Sequence, residues 1–452
     1  MKLPNGNPLP LSPAATERKV SPEAPATNPR QLLDQLQLGN RQAVVARVVE
    51  LLQRQGGAQA LLELRGQSLT VDLPANLPKL QPGDLLSLMR DGNALQLLGK
   101  LPPPAEALLT QALARHLPGQ HSLDTGLQQL LSSLAQGLLA GPGTAPGTTE
   151  PLPAAVREAV QALLRIPPGQ NSLTATAGLT AAAGTSASPA PAGLAADTGA
   201  VTSVRQWLLT SGLVTEAGLA RGTPPDAADL KLALGRVVQT LLQHQGLAPD
   251  QFSRFTPLTS PDLAGAPLQF PISPAPAAQT AEAMTVGQTL RLLAGMLNRI
   301  AVNQLHSQLL TARGGTEGAP AINTWVADLP WLNHQGEPRL AQLRLEQEWP
   351  EESGKENRER QRSTVAEWRF SLVMDLDDAG PVTFEVALRD QNLSARVWAE
   401  RQETVRQVNQ QLSELRKSLT ELGLEVTGLE CRRGTPAAAV TRLEHRMVDI
   451  QA

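Results

Sequence analysis

Large aromatic side chains are distributed very unevenly along this 452-residue sequence. The chain has six Trp, five Phe and no Tyr; the first of them is Trp207, and seven of the eleven lie at or after Trp325. Aromatic side chains bury large apolar areas, and burial of apolar area is the main favourable contribution to folding. The best-packed core is therefore predicted to begin near residue 325, whereas the first 200 residues can bury only small and aliphatic side chains.

Charge, cysteine content and the absence of long apolar runs exclude several classes of protein. The formal net charge is −3, which provides no electrostatic attraction to nucleic acid or to an anionic membrane. Cys431 is the one cysteine and cannot form an intramolecular disulfide. Prolines interrupt the first residues, and no run approaches the ~20 apolar residues of a membrane span. We therefore expect no nucleic-acid binding, no membrane insertion and no cleaved signal peptide.

A small β-unit is predicted over residues 41–100, after a Pro- and Ala-rich leader, residues 1–40, that is expected to be disordered. Leucine and valine alternate with polar residues in several short runs, which is the pattern of half-buried strands. Asp91-Gly92 lies between two such runs and indicates a hairpin. We predict about five antiparallel strands that close on a purely aliphatic core. The alternating residues are Leu62, Leu64, Leu69, Val71, Leu73, Leu86, Leu88, Leu95 and Leu97.

Helical segments are predicted over residues 101–324, because apolar residues recur there at spacings of three and four. The longest such pattern begins at Val286, with Thr285 as its N-cap. It indicates either a helix that packs on its own chain or a short coiled-coil seam, and its modest length favours the former. Low-complexity composition predicts linkers at residues 170–200 and 256–280.

A two-layer α+β domain is predicted for residues 325–436, followed by a tail at residues 437–452. Three consecutive runs alternate apolar and polar residues, which indicates an antiparallel meander with one buried face. A long helical stripe follows, ends at Gly423, and leads into a last strand at Leu424. The fold class is therefore α+β. It combines an antiparallel-rich sheet and one long helix with the preceding β-unit, helices and disordered Pro/Ala-rich linkers.

The stretch from Leu376 to Val386, Leu-Asp-Asp-Ala-Gly-Pro-Val-Thr-Phe-Glu-Val, resembles the core motif of the C-terminal domain of flagellar hook-length control proteins. That motif has a strand ending in Leu, a short turn and an alternating Val-x-Val strand. The stripe that ends at Gly423 is similar to the family's Leu-x-x-Leu-x-x-x-Leu-x-x-x-Gly-Leu. Asp377 and Ala379 stand where the family often has Pro and Leu.

The resemblance implies a function. Such proteins are exported by the flagellar type III apparatus, their N-terminal part measures the growing hook, and their C-terminal domain contacts the cytoplasmic domain of the export gate. Export then switches from hook to filament subunits. We accordingly expect a non-enzymatic monomer without cofactors, first cytoplasmic and then secreted through the flagellar channel, where it meets hook and hook-cap proteins. The motif residues expected to bind the partner are Gly380, Pro381, Val382, Phe384, Val386, Leu412, Leu415, Leu419, Leu422 and Gly423.

Two other roles stay open at this point: a needle-length regulator of a virulence type III secretion system, and a non-flagellar scaffold or adaptor. The motif residues also have a simpler interpretation, since alternating strand residues and helix stripes are usually buried. On that ground we expect Val382, Phe384, Leu415 and Leu419 to lie in the core of the domain.

Patterns typical of enzymes and metal sites are missing from the sequence. His116 and His121 have no HExxH spacing and no neighbouring Cys. Asp375 and Asp377 belong to an acidic turn that lacks the spacing of a calcium loop. There is no Gly-x-Ser-x-Gly nucleophile elbow, and Cys431 is expected to be structural. We therefore expect no bond chemistry and no bound metal.

Overall fold

A computed structural model of the chain contains two compact units, Met1–Leu108 and Leu109–Ala452. It describes residues 9–11, 43–54, 57–64, 67–73, 83–91, 94–101, 105–139, 149–170, 204–222, 226, 228–260, 263, 268–271, 283–314, 321–349 and 366–441. Most of the predicted leader and tail, and residues 171–200 of the first linker, lie outside these ranges.

The first unit is one antiparallel sheet of six strands in the order β1-β6-β5-β2-β3-β4. The predicted period-two residues of its central strands are buried, as Leu62, Leu64, Leu86 and Leu88 are each no more than 1% exposed. None of the ladders between described residues joins β1 to β4, so hydrogen bonds do not close the sheet as expected. The strands are β1 (Leu9–Leu11), β2 (Ala43–Arg54), β3 (Gly57–Leu64), β4 (Gln67–Leu73), β5 (Leu85–Asp91) and β6 (Ala94–Leu101).

Strand β1 lies in the leader that was predicted to be disordered. Leu9 and Leu11 stand opposite Leu97 and Leu95 of β6, and Pro10 lies between them. A proline has no N–H to donate and is tolerated on a strand at the edge of a sheet. Composition did not indicate this strand because backbone pairing at an edge depends little on the side chains.

The second unit begins with a layer of helices, most of which pack around one largely aliphatic core, while the first packs in a separate cluster with Val302 and Leu309. One helix ends at His244 and is followed by Gly246, whose φ of +65° is the left-handed conformation common just after a helix end. The core is built from buried residues such as Leu127, Val160, Leu234 and Met296. The helices are α1 (Ala105–His116), α2 (Leu123–Gln136), α3 (Ala154–Leu164), α4 (Thr215–Ala220), α5 (Leu230–His244) and α6 (Val286–Gly314).

Helix α6 begins with the predicted N-cap. The hydroxyl of Thr285 accepts from the N–H of Gln288 at 3.2 Å, and the side-chain oxygen of Gln288 accepts from the N–H of Thr285 at 2.8 Å. This reciprocal pair is a capping box, which satisfies two N–H groups that a helix start leaves without partners. The helix packs on its own chain, so the first of the two predicted interpretations is correct.

The C-terminal sheet has six strands in the order β10-β11-β12-β13-β14-β15. All neighbours are antiparallel except β14 and β15, which are parallel and are joined by helix α7 (Gln402–Glu421). Strand β10 was not predicted, and the predicted domain boundary at residue 325 falls within it. The strands are β10 (Ala321–Leu332), β11 (Pro338–Trp349), β12 (Glu367–Leu376), β13 (Gly380–Arg389), β14 (Asn392–Ala399) and β15 (Glu425–Arg433).

Two pairs of short strands lie outside the two large sheets. Strands β7 (Leu138–Leu139) and β8 (Thr149–Glu150) pair with each other. Strand β9 (Leu268–Phe270), within the predicted second linker, pairs with β16 (Ala439–Thr441), within the predicted tail. Within the ranges that the structure describes, no helix has the length and apolar content needed to cross a membrane.

The helical layer and the C-terminal sheet share the edge strand β10. The hydroxyl of Ser307 accepts from the N–H of Val326 at 2.8 Å, and that of Thr311 accepts from the N–H of Thr324 at 3.0 Å. The indole N–H of Trp207 donates to the carbonyl of Pro330 at 2.8 Å. Backbone groups that an edge strand would leave unpaired are therefore bonded to side chains of the helical layer.

A buried ion pair reinforces this junction. Arg299 of α6 and Asp328 of β10 are 6% and 4% exposed, with the guanidinium Nη2 3.3 Å from the carboxylate Oδ1. Nη1 of Arg299 also donates to Gln120 at 2.7 Å. A charge buried at this depth is tolerated only when its partner is present.

Removing one charge of this pair should destabilise the second unit strongly. We expect Asp328→Asn to lower the free energy of unfolding by about 3–5 kcal/mol, because Arg299 would remain buried and unpaired. The matched control is Asp377→Asn, which breaks the half-exposed pair of Asp377 with Arg339 and should cost no more than about 1 kcal/mol. Urea unfolding of both variants measures the two costs, and equal losses would contradict this account of the junction.

Stability should also fall in acid because of His306. Burial and the charges of Arg344, Arg299 and Arg313 lower the pKa of this imidazole from 6.5 to about 4, and its Nε2 lies 2.8 Å from the hydroxyl of Thr441. The unfolded chain takes up the proton first, so stability is complete above pH 6.5 and is lost as the pH falls towards 4. The loss should reach about 3 kcal/mol. Urea unfolding at several pH values should show a shallower decline for His306→Gln, and an unchanged slope would exclude this histidine as the cause.

Candidate functional site

The turn of the resemblance motif is held by the start of helix α7. The carbonyl of Ala379 accepts from the hydroxyl of Thr404 at 2.8 Å, and that of Asp378 accepts from Arg401 at 2.7 Å. Gly380 has a φ of +72°, and a Cβ there would lie 3.0 Å from the Nε of Arg401. The positive φ favours a glycine at this position, and a larger residue would also require the side chain of Arg401 to shift.

Asp377, one of the two departures from the family motif, has a structural role in this turn. Its carboxylate accepts from Arg339 at 2.6 Å and from the side-chain amide of Asn333 at 2.7 Å. These bonds connect the β12–β13 turn to the β10–β11 turn. The acidic turn that the sequence analysis weighed as a cation site is thus engaged by protein donors. The described residues contain no group of three or more His, Cys, Asp or Glu that could hold a metal ion.

The strand residues of the motif point to one face of the C-terminal sheet, which we call the inner face. Val382 is 2% exposed and packs with Val397, Ala399 and Val405 of α7. Phe384 and Val386 follow on the same face and are half-buried, while Pro381 lies on the other side of the strand. The prediction that Val382 is core is confirmed, and Phe384 lies at the edge of the same cluster.

Helix α7 is packed closely only at its start. Thr404 and Val405 are its buried residues, and Val408 is half-buried beside them. Further along, Leu412 and Leu419 are half-buried, but Leu415 is 42% and Leu422 is 58% exposed. The prediction that Leu415 is core is therefore wrong. The apolar stripe of α7 is wider than the surface of the sheet that contacts the helix. The residues at one side of the stripe therefore remain exposed to solvent.

The exposed leucines form a line along one flank of the helix. Val408, Leu415 and Leu422 are each seven residues apart, about two helical turns, so they lie nearly above one another. We call this line the α7 ridge. Arg416 lies on the opposite flank and donates to the carbonyl of Val426 on β15 at 3.0 Å. The α7 ridge therefore lies on the flank of the helix that faces away from this contact with β15.

The end of α7 is fixed by Gly423. Its φ is +83°, its N–H donates to Thr420 at 2.9 Å, and the N–H of Leu424 donates to Leu419 at 3.1 Å. This pair of bonds is a Schellman motif, which ends a helix and requires a left-handed residue. The predicted role of Gly423 as C-cap is confirmed, and it directs the chain into β15.

The motif residues are thus brought together, but they divide into two groups. Gly380, Val382 and Gly423 shape and pack the domain, whereas Leu415 and Leu422 are free to meet another molecule. Sequence reasoning missed Arg401 and Thr404, which hold the turn. The one available signal was their place at the start of the predicted helix, because hydroxyl and basic side chains there can reach a neighbouring turn.

Nothing in this arrangement indicates bond chemistry. Burial raises the pKa of the Cys431 thiol, which keeps it protonated and weakly nucleophilic at neutral pH. The thiol packs with Val397 and Val405 in the small core under α7. What the surface offers instead is an apolar line on a helix, a feature that serves binding.

Comparison with known proteins identifies the domain. Residues 356–439, about a fifth of the chain, match the family model described as flagellar hook-length control protein FliK. No curated protein and no solved structure matches the chain. The match spans strands β12 to β15 and helix α7 with the α7 ridge, and it confirms the resemblance seen in the sequence. Residues 356–439 are therefore similar to the domain of the flagellar hook-length control family.

Proposed function

We propose that this chain controls hook length and switches export specificity. The flagellar type III apparatus exports it from the cytoplasm during hook growth, and the part before the C-terminal sheet measures the hook while in contact with hook and hook-cap proteins. The α7 ridge then binds the cytoplasmic domain of the export gate. No cofactor and no bond chemistry take part. The observation that carries the binding step is the exposure of Leu415 and Leu422 within the family domain.

Exposed leucines occur singly on most proteins and need no explanation. The α7 ridge differs because its members share one flank of a helix that lies within the matched residues 356–439. Burial of apolar surface contributes about 25 cal/mol per Å² to stability, and surface that stays exposed makes no such contribution. A partner that covers the α7 ridge can gain this free energy on binding. Aligned positions of this kind on a helix are typical of sites where few residues supply most of the binding energy.

The family match favours a flagellar role over the two alternatives. A needle-length regulator shares the general design, but the matching family is described by the flagellar hook. An adaptor protein would also need an exposed surface to bind its partner, and the α7 ridge could be that surface. Binding to the export gate and hook length in cells separate these roles.

The first test concerns the α7 ridge. We expect the double change Leu415→Ser and Leu422→Ser to weaken binding to the cytoplasmic domain of the export gate by about tenfold or more, because each hot-spot residue contributes more than 1 kcal/mol. The free energy of unfolding should change by less than about 1 kcal/mol, since both side chains are exposed. Calorimetric titration and urea unfolding measure the two effects.

The matched control is Leu131→Ser, because Leu131 is 40% exposed on helix α2, outside the family domain. Gate binding by this control should equal that of the unchanged chain. Retained binding by the double variant would refute the role of the α7 ridge, while hook-length control itself would remain to be judged by the length test.

The second test concerns the ruler. Deleting residues 171–200 should shorten hooks by about 45 Å if this stretch crosses the channel as a helix, or by about 100 Å if it is extended. Their Ala-, Thr- and Ser-rich composition makes them the segment least expected to contribute to a core. Electron microscopy of purified hooks gives the mean length, and duplication of the same residues should lengthen hooks equally. Unchanged hooks with normal export of the variant would argue for an adaptor.

A further inference from the structure

The last described residues of the chain connect the two parts of the second unit. Strand β15 ends at Arg433, and the N–H of Gly434 still donates to the carbonyl of Ala399 on β14 at 3.0 Å. The chain then leaves the C-terminal sheet, and residues 439–441 pair with β9, which precedes α6 in the sequence. We call residues 434–441 the strap. The strap follows the last strand of the sheet, but its partners belong to the part of the chain before the sheet.

Strand β9 lies near the opposite edge of the C-terminal sheet. Its residues Leu268 and Phe270 line a small cavity together with Val326 of β10 and Gln342 of β11. Strands β15 and β11 are four positions apart in the sheet, which corresponds to about 19 Å at the usual spacing between strands. The eight residues of the strap reach at most ~26 Å in a fully extended conformation. The strap therefore crosses most of the sheet with little slack.

The strap is held mainly at its far end. Thr441 is 8% exposed, and its hydroxyl lies 2.8 Å from the Nε2 of His306, which is 6% exposed on α6. By contrast, Val440 is 49% exposed, and the strap residues before it are half-buried or exposed. Strands β9 and β16 form a ribbon of three residue pairs, which is too small to be stable by itself. Docking of the strap therefore depends on α6, and on the contact of Thr441 above all.

The family match includes most of the strap. It ends at residue 439, within β16, whereas β9 and α6 lie outside it. The small core beneath α7 consists of matched residues, among them Val397 and Val405. In addition to a core of its own, the matched stretch thus contains a segment that docks on the helical layer.

We propose that the strap is a latch that couples the end of the C-terminal sheet to the folded state of the helical layer. When the helical layer is folded, α6 and β9 form the docking site and the strap is closed. When that layer loosens, Thr441 loses its partner and the strap opens, while the core beneath α7 stays folded. Segments with few buried contacts open more easily than the elements around them. This coupling is a property of the chain itself, so the inference goes beyond the proposed function and does not depend on gate binding.

Hydrogen exchange with mass spectrometry on the full chain tests the latch. As urea is raised below the unfolding transition, residues 268–270 and 439–441 should exchange together, before α6 and before strands β12–β14. Thr441→Val removes the hydroxyl and should speed this exchange about tenfold, the effect of losing one hydrogen bond. Thr441→Ser is the matched control, because it keeps the hydroxyl and should leave the exchange rate nearly unchanged.

Two matched core variants test the coupling. Val237 of α5 lies in the core of the helical layer and Val397 lies in the core beneath α7, and they are 0% and 4% exposed. Val237→Ala should speed exchange of residues 439–441 several-fold, whereas Val397→Ala should not, although both remove the same atoms.

Equal effects of the two valine variants would overturn the coupling. The latch itself is overturned if residues 439–441 of the unchanged chain exchange only when the whole unit unfolds, or if Thr441→Val and Thr441→Ser exchange alike. Because the urea series uses the unchanged chain, loss of fold in a variant cannot mask its result.

Discussion

Hydrogen bonding at the edge strand β10 is the constraint on which the second unit depends. An edge strand exposes a row of unpaired backbone groups, and here Ser307, Thr311 and Trp207 bond to them. The buried pair of Arg299 and Asp328 lies at the same junction. The aromatic core around Trp331 thus needs residues from the helical layer as well as from the sheet. For this reason the compact unit begins at Leu109 rather than near residue 325.

The opposite end of the sheet is built with fewer contacts. Helix α7 is anchored at its start by Thr404 and Val405 and at its end by the Gly423 turn, and between them its apolar stripe is only partly covered. A helix that is held at both ends keeps its position even though Leu415 and Leu422 remain in solvent. Rigid support beneath an exposed apolar flank reduces the entropy that a partner must overcome on binding. The C-terminal sheet is therefore well packed at β10 and more open at α7, and the open end lies within the matched residues 356–439.

Local patterns were sufficient for much of the secondary structure. Thr285 and Gly423 were correctly assigned as caps because capping depends on a few neighbouring residues. The β12–β14 meander followed from strict alternation, and its inward residues are those expected. Strand β10 was missed because it is buried on both faces, and its apolar and polar residues do not alternate clearly: Asp328 and Thr324 are as buried as Leu329. Strand β1 was missed because its partner, β6, lies about 85 residues away in the chain.

The sequence by itself determined the α+β class, several helix ends, the concentration of aromatic residues after Trp325 and the resemblance of residues 356–439 to the flagellar hook-length control family. These properties depend on composition and on spacing over a few residues, which any reading of the chain can recover. Tertiary structure alone decided that Asp328 is paired inside the molecule, that Asp377 is held by Arg339, and that Leu415 is exposed while the neighbouring Leu412 is half-buried. The spacing of apolar residues in the sequence indicates which of them share one side of a helix. How much of that side is covered depends on the width of the opposing surface, which distant parts of the chain provide.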